Sequence, residues 1–317
     1  MQNRILFCTE KWCDGTPYRG LTNNFHNLFN TFSNYSSDYI FDTLHIDECK
    51  NTYSTNIDNV LISHCKNFNP SAVIFSFLGG VDYNPSIEAL KSLKRNNIKL
   101  CFMWPDTQIG IVTSAINELK DVADLSVSWD NPVSNFHNSN IFPNNHISLW
   151  VPQDNNLFFE DKQNIDISFV GSTGYQDRKT ILENLLNMRD DVYIAGGQRA
   201  TRLSPEEYAK IIRSSKICLN FSISPCQQYY QTKGRVYEVL ASKSLLMELK
   251  NPSTAKLFEP NIDYVEFENS IDLNTKLNYY LSNEDERIKI ATNGYKKYYQ
   301  YYSSNLFWST VMNRLMK

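Results

Sequence analysis

The stretch "ISFVGSTGYQDRKTILENLL" (residues 167–186) joins an apolar, strand-like run to a helical pattern through a turn of small residues. Its composition predicts a strand over residues 165–171 and a helix over residues 177–188. The turn, Gly171-Ser172-Thr173-Gly174, lets backbone N–H groups approach an anion, and the following helix N-terminus favours its charge. The stretch therefore predicts one strand–turn–helix unit with an anion site, although an ordinary turn beside exposed basic residues remains the alternative.

The same alternation of strand-like and helical patterns continues almost from one end of the chain to the other. It predicts parallel sheets with helices on both faces, which is an α/β fold. The predicted strands are residues 4–8, 39–46, 72–78, 99–104, 125–129, 146–150, 165–171, 191–197, 216–221, 244–249 and 263–268. The predicted helices include residues 85–95, 177–188, 204–214, 234–242, 271–281 and 284–300.

The polar, irregular segment "WVPQDNNLFFEDKQN" (150–164) separates two such series and is the predicted linker. A chain of 317 residues is long enough for two domains of about 150 residues each. We therefore predict two Rossmann-like, doubly wound domains, residues 1–155 and 156–300, that face each other across a cleft. Ligand-binding loops are expected at the carboxyl ends of both sheets.

The tail, residues 301–317, carries Phe307, Trp308, Val311 and Leu315 on one face of a predicted helix. We expect this helix to pack back on the first domain. The alternative is a helix at a membrane surface, with nearby lysines and arginines against anionic lipid. The tail thus leaves open a peripheral association with the inner membrane surface.

Composition excludes several classes of protein. Hydrophobic residues make up 42% of the chain and the net charge is −3, without the basic stripe of a nucleic-acid-binding protein. The first apolar run is too short for a signal peptide, and no window is long enough for a membrane span. Seven cysteines occur without a C-x-x-C pair, which indicates a reduced, cytoplasmic protein without a zinc site.

The segment "TKGRVYEVLASKSLLMEL" (232–249) places two cations, Lys233 and Arg235, at the start of a predicted helix. A helix N-terminus disfavours cations, so an anionic ligand is expected beside them and Gly234. Glu238 follows among apolar neighbours, which makes it a better candidate for binding than for a solvated helix surface.

Two more loops end at the same predicted edge. "YIAGGQRATRL" (193–203) follows a strand with Gly196, and "CLNFSISPCQQYYQTKGRVYE" (218–238) follows another at Asn220. The carboxyl ends of parallel strands lie at one edge of a sheet, so these loops are expected to meet the loop at Gly171.

The second half resembles the donor domain of GT-B glycosyltransferases over about residues 165–300. The resemblance rests on "ISFVGS", "DRKTILENLL", "EEYAKIIRSSKICLNFS" and "KGRVYEVLASKSLLMEL". It is closest to the spore-maturation CgeB-like subgroup, whose pattern is a basic residue, Gly-Arg, an aromatic and Glu-x-x-Ala-Ser/Cys. The first half matches only in architecture.

The resemblance implies that the second domain binds a nucleotide-diphosphate sugar. Glu238 matches the family's ribose-binding glutamate, and Arg178 matches the Lys or Arg on the diphosphate. Gly171-Ser172 match a Gly-Arg pair, so one arginine is missing, and Arg235 or Lys233 could replace its charge. Tyr230 stands where many retaining members have a glutamate, which leaves retention or inversion open.

The resemblance also implies a metal-free reaction, because the alternative glycosyltransferase fold holds its metal with an Asp-x-Asp motif and no two aspartates here are two positions apart. Fixed cations such as Arg178 would stabilise the leaving group. Candidates for the base that activates the acceptor are Asp14, Asp106 and Asp130 in loops of the first domain. For each, a turn or helix cap is an equal alternative.

The resemblance thus implies a metal-independent, hexosyltransferase-type glycosyltransferase that uses a nucleotide-sugar donor and a hydroxyl acceptor, with no further cofactor. The acceptor could be a surface glycan, a lipid-linked sugar or a small molecule. Two alternatives stay open: a sugar-nucleotide epimerase of the same fold, and a non-catalytic nucleotide-sugar-binding protein. The donor sugar, the base, the acceptor and the oligomeric state are left open.

Overall fold

The computed structural model describes residues 3–53, 57–76, 84–107, 109–129, 142–196, 203–221 and 230–317. The chain divides into two compact units. The first unit comprises Met1–Trp150 together with Ser304–Lys317, and the second unit comprises Val151–Ser303. The first break falls at the start of the predicted linker, and the second three residues after the predicted end of the second domain.

The first unit contains a parallel sheet in the order β2-β1-β3-β4-β5-β6. Its strands are β1 (Asn3–Thr9), β2 (Tyr39–His45), β3 (Ala72–Ser76), β4 (Lys99–Trp104), β5 (Leu125–Ser128) and β6 (His146–Ser148). A π-helix (Phe25–Asn30) continues into α1 (Thr31–Ser33), followed by α2 (Ile46–Tyr53), α3 (Ile57–Phe68), α4 (Ile87–Arg95) and α5 (Gly110–Leu119).

The second unit contains a parallel sheet in the order β11-β10-β9-β7-β8. Its strands are β7 (Ile165–Val170), β8 (Val192–Ala195), β9 (Ser215–Asn220), β10 (Leu245–Leu249) and β11 (Val265–Phe267). Its helices are α6 (Gln176–Leu186), α7 (Pro205–Arg213), α8 (Gly234–Ala241), α9 (Pro252–Ala255), α10 (Ser270–Ser282) and α11 (Glu284–Tyr301). The last helix, α12 (Ser304–Leu315), belongs to the first unit.

The predicted α/β class is confirmed, and each of the eleven predicted strands is present within a few residues of its expected bounds. Helix α7 begins with a capping box. Ser204 accepts a hydrogen bond from the Glu207 backbone N–H, and the Glu207 carboxylate accepts one from Ser204 in return. This capping box satisfies N–H groups that a helix N-terminus otherwise leaves unpaired.

The strand order places a topological switch point in each sheet. In the second unit β8 lies on one side of β7 and β9 lies on the other, so successive connections leave β7 in opposite directions. Ligands of open α/β sheets bind at the carboxyl ends of the strands beside such a point. The carboxyl ends of β7 and β9 are therefore the part of the second unit best placed to bind a ligand.

Helix α12 completes the core of the first unit. Phe307, Trp308, Val311 and Leu315 are each at most 1% exposed, and the Trp308 indole N–H donates to Thr31 Oγ1 at 2.8 Å. The Trp308 ring also packs on Phe32 with ring centres 4.9 Å apart. The apolar face of the tail thus lies inside a protein core, as expected for packing on the first domain.

Gly294 permits close packing of α11 in the second unit. A Cβ at this position would lie 2.3 Å from the Asp263 carbonyl oxygen and 2.6 Å from Leu240 Cδ2. Leu240 belongs to α8, so the approach of α11 to α8 depends on the missing side chain.

We expect Gly294→Ala to destabilise the protein by about 1–3 kcal/mol, because the Asp263 backbone carbonyl cannot move aside as a flexible side chain can. Chemical denaturation followed by circular dichroism measures the change. Gly110→Ala is the matched control, since among the described residues no atom beyond its chain neighbours and its own helix backbone lies within 4 Å of the added methyl group. It should be neutral or stabilising by up to about 1 kcal/mol. Equal denaturation midpoints for both variants would contradict this account.

Candidate functional site

Helix α8 begins at the carboxyl edge of the second sheet without a side-chain cap. Lys233 is its N-cap residue, and its side chain makes no capping hydrogen bond. Val236, Val239 and Leu240 are fully buried and fix the helix against the sheet, whereas Arg235 and Glu238 are half-buried. The helix therefore presents a charged face beside a positive helix terminus.

Glu238 and Arg235 are joined through Tyr208 on α7. The Tyr208 hydroxyl donates to Glu238 Oε2 and accepts a hydrogen bond from Arg235 Nε at 3.2 Å. The other carboxylate oxygen, Oε1, lies 3.4 Å from the point that a Cβ at Gly234 would occupy. Glu238 Oε1 therefore lies beside the first residue of α8.

Burial controls the ionisation of this group. Burial raises the pKa of Glu238, and the charge of Arg235 and the hydrogen bond from Tyr208 only partly offset that rise. Burial also raises the pKa of the Tyr208 phenol well above its usual value, so Tyr208 stays a hydrogen-bond donor. Ionising Glu238 therefore costs more free energy in the folded protein than in the unfolded chain.

Gly171 brings the loop after β7 against Arg235. Its φ is +144°, and an added Cβ would lie 3.0 Å from Arg235 Nη2. Its N–H donates to the Ala195 carbonyl oxygen at 2.8 Å. Gly196 has a φ of +77°, and a Cβ there would lie 3.4 Å from the Gly171 nitrogen. Glycine at both positions therefore allows the two loops and the guanidinium to meet.

The second arginine lies on the same aromatic ring. The Cζ atoms of Arg178 and Arg235 lie 5.5 and 5.4 Å from the centre of the Phe169 ring. Burial lowers the pKa of Arg178 to about 10, and the positive charge of Arg235 contributes to the shift. Two neighbouring guanidinium groups at the end of β7 form a site that favours an anion.

Arg178 also connects the loops on both sides of the switch point. Its Nη1 donates to the Ser172 carbonyl oxygen at 2.7 Å, after β7, and its Nη2 donates to the Phe221 carbonyl oxygen at 2.8 Å, after β9. Its Nε is buried and makes no hydrogen bond within the described residues. The Ser172 side chain is exposed, and its hydroxyl accepts from the Gly174 N–H at 3.4 Å.

The structure thus brings together most of the predicted donor-site residues: Gly171, Ser172, Arg178, Gly196, Gly234, Arg235 and Glu238. Asn220 lies elsewhere, since it is 1% exposed and its amide donates to the buried Glu248 carboxylate at 3.0 Å. The Lys233 ammonium donates to Gln231 Oε1. Of the two candidates to replace the missing arginine, it is Arg235 that lies against Gly171. The arginines at 199 and 202 lie outside the described residues.

The candidate bases lie in the first unit. Asp14 belongs to a 3-10 turn, Cys13–Gly15, in a loop held at its base by the Asp47 carboxylate, which accepts from the Lys11 and Trp12 N–H groups. Asp106 follows β4 with a φ of +48°. Asp130 lies outside the described residues. The roles of Asp14 and Asp106 stay predictions.

Sequence reasoning missed Tyr208. Its position in the sequence is the signal that could have found it. Tyr208 lies four residues after the N-cap Ser204, on the helix that leads into β9, and α8 is the next helix after β9. Within the described part of the chain, no group of three His, Cys, Asp or Glu residues could hold a metal ion, and no helix could span a membrane.

Two Rossmann-like units with parallel sheets and a C-terminal helix that returns to the first unit define the GT-B fold. Residues 157–313 match the family model described as glycosyl transferase-like. The CgeB-like subgroup stays a prediction. A comparison with curated proteins finds no match.

Solved structures match almost the whole chain. HepE from Anabaena, in complex with UDP, has a TM-score of 0.67 at 9% identity and covers 98% of this chain and 100% of its own. Sucrose-phosphate synthase from Thermosynechococcus elongatus has a TM-score of 0.66 at 9% identity, covering 99% of both chains. A putative UDP-N-acetylglucosamine 2-epimerase from Listeria monocytogenes has a TM-score of 0.57 at 10% identity, covering 99% and 96%. These similarities show the fold.

The raised pKa of Glu238 predicts how Glu238→Gln changes stability with pH. As the pH rises above about 4.3, the unfolded state releases this proton before the folded state does, so the wild-type protein loses stability. The variant has no such loss. The unfolding free energy of Glu238→Gln should therefore rise relative to that of the wild type as the pH increases from 4 to 8. Urea denaturation measures both free energies. A constant difference across this range would show that Glu238 is not destabilised by burial.

Proposed function

We propose that the protein is a metal-independent glycosyltransferase that transfers a sugar from a nucleoside-diphosphate sugar to a hydroxyl acceptor. The observation that carries the proposal is the opposite charge of two adjacent regions on the second unit. Arg178 and Arg235 lie at the end of β7, and Glu238 lies one helical turn from Arg235. A nucleoside diphosphate offers the complementary pattern, with an anionic diphosphate beside neutral ribose hydroxyls.

In this proposal, the two arginines and the N-terminus of α8 bind the diphosphate, and Glu238 accepts hydrogen bonds from ribose hydroxyls. When the bond to the sugar breaks, negative charge grows on the departing diphosphate. Cations that the fold already holds in place stabilise that charge without reorganising. The glycosyltransferase-like domain and the UDP bound by the similar HepE support a nucleotide-sugar donor.

The acceptor hydroxyl would be activated by a residue of the first unit. Asp14 and Asp106 are our candidates, since both follow strands of the first sheet at its carboxyl edge. We propose a carbohydrate or small-molecule acceptor and no nucleic-acid partner. The apolar face of α12 is buried in the core of the first unit, so this helix gives no support to contact with the inner membrane surface.

A panel of donors tests the proposal. Purified protein is mixed with UDP-, GDP-, ADP-, CDP- and dTDP-glucose, and the thermal midpoint is recorded for each. A ligand that binds only the folded state raises the midpoint. The donor with the largest shift is then incubated with protein in the presence of added sugars, so that either water or a sugar hydroxyl can accept the transferred sugar. Free nucleoside diphosphate is measured with and without excess EDTA. We expect equal release in both. Loss with EDTA that manganese restores would contradict metal independence.

The same incubation separates the alternatives. The similarity to a putative epimerase favours a sugar-nucleotide epimerase as the second candidate. Such an enzyme would convert the sugar without an acceptor, which chromatography of the recovered sugar detects. A protein that binds the donor but releases no nucleoside diphosphate and leaves the sugar unchanged would be a binding protein.

Single substitutions should divide the donor site into two parts. Glu238→Ala removes a charge-assisted hydrogen bond of roughly 1.5–3 kcal/mol, so the affinities for nucleoside and nucleoside diphosphate should both fall by about ten- to a hundredfold. Arg178→Ala and Arg235→Ala should weaken the diphosphate far more than the nucleoside. Isothermal titration calorimetry measures both affinities.

Lys179→Ala is the control for these titrations, because Lys179 neighbours Arg178 in sequence but is 60% exposed and pairs with Glu183. It should bind both ligands as the wild type does. If Glu238→Ala also binds with wild-type affinity, the assignment of this site is wrong.

A further inference from the structure

The Tyr208 hydroxyl lies between the side chains of Glu238 and Arg235 and is hydrogen-bonded to both. It belongs to α7, whose start is fixed by the capping box of Ser204 and Glu207. Its ring packs edge-on against Phe158 with ring centres 6.3 Å apart, and the Cζ atom of Arg235 lies 5.8 Å from its centre. A tyrosine held by its ring places its hydroxyl with little remaining freedom. Glutamate and arginine side chains, in contrast, lose considerable rotamer freedom when they are fixed.

The hydroxyl determines which atoms of its partners face the ligand region. By donating to Glu238 Oε2 it leaves Oε1 beside Gly234, at the start of α8. It also accepts a hydrogen bond from Arg235 Nε, so that Arg235 Nη2 lies beside Gly171, the residue that follows β7. One phenol thus orients a carboxylate toward one side of the site and a guanidinium toward the other.

We propose that Tyr208 is a positioning residue of the donor site, which fixes Glu238 for the ribose and Arg235 for the diphosphate through a single hydroxyl. This inference rests on the proposed function, because it takes the ligands of Glu238 and Arg235 from there. Binding is stronger when the protein groups are already held in the geometry of the complex. Tyr208 therefore couples the two halves of the nucleotide site before any ligand arrives.

The charged environment of Glu238 makes the coupling measurable. The groups that act on its carboxyl are Arg235, on the same helix, and Tyr208, on α7. The hydrogen bond from Tyr208 lowers the pKa of Glu238, so its removal should raise that pKa further. A tyrosine that served only to fill space would leave the titration of Glu238 unchanged when its hydroxyl is removed.

The first experiment needs no ligand. Protein labelled with ¹³C at glutamate carboxyl carbons is titrated by NMR, and the Glu238 signal is assigned by its absence from Glu238→Gln. In Tyr208→Phe, which retains the ring, we expect Glu238 to titrate at a higher pH than in the wild type. Tyr279→Phe is the matched control, since Tyr279 donates to Glu286 at 2.6 Å on the exposed surface of α10. It should leave Glu238 unchanged.

The second experiment uses the nucleoside diphosphate of the donor with the largest thermal shift, together with its free nucleoside. Tyr208→Phe should bind each roughly tenfold more weakly at pH 7, and the loss should grow as the pH falls. In a double-mutant cycle with nucleoside, Tyr208→Phe should add little to Glu238→Gln, because the tyrosine acts through the glutamate. Tyr279→Phe should bind as the wild type does.

The outcomes separate this inference from the proposed function. If the wild type binds no nucleotide of the panel, the proposed function fails and the inference fails with it. If the wild type binds but Tyr208→Phe shows the same titration and the same affinities, the inference alone is overturned. If Tyr208→Phe does not fold, the nucleoside affinity of Glu238→Gln is measured against pH instead. The same pH dependence as in the wild type would overturn the role given to Tyr208 and Glu238.

Discussion

The packing of the Arg235 guanidinium against Gly171 is the contact on which the candidate site depends. It requires a glycine with φ at +144°, a second glycine at 196 that lets the neighbouring loop approach, and the Phe169 ring beneath. It also requires the position of α8, and the missing side chain of Gly294 lets α11 pack closely on Leu240 of that helix. A cation in a low-dielectric setting needs compensation, and here the Glu238 carboxylate and the Tyr208 hydroxyl provide it.

Two charged groups of the proposed donor site, Arg178 and Glu238, are ionised at a cost to the fold. Arg178 and Glu238 both carry pKa values shifted against their charged forms, and Arg178 lies beside a second arginine. An isolated structural ion pair would shift both groups toward their charged forms instead. The Arg189–Asp191 pair shows this contrast, since the pKa of Asp191 is lowered by hydrogen bonds from Arg189. Shifts of pKa against the charged form are typical of functional sites, and they support the donor site that we propose.

The sequence predicts the architecture well and the site in part. Strand positions follow from β-branched runs, because burial on both faces of a parallel sheet leaves a continuous apolar pattern. Gly171, Arg235 and Glu238 were found because glycine, a cation and a lone acid stand out in such a pattern. Tyr208 was not, since an aromatic residue on an amphipathic helix looks like core. Asn220 was expected in the site but lies buried against Glu248. The sequence at the end of a strand does not show to which side of the sheet its last residue points.

Helix α12 has a consequence for the order in which the chain can fold during synthesis. The second unit is one continuous stretch, Val151–Ser303, and has all its elements once that stretch has left the ribosome. The first unit is made earlier but lacks Phe307 and Trp308, whose side chains are fully buried in its core. Until those residues appear, an aromatic-lined groove stays open to water. The unit that is synthesised first is therefore the last to complete its folding. Its nascent form is the state that would offer chaperones the most exposed apolar surface.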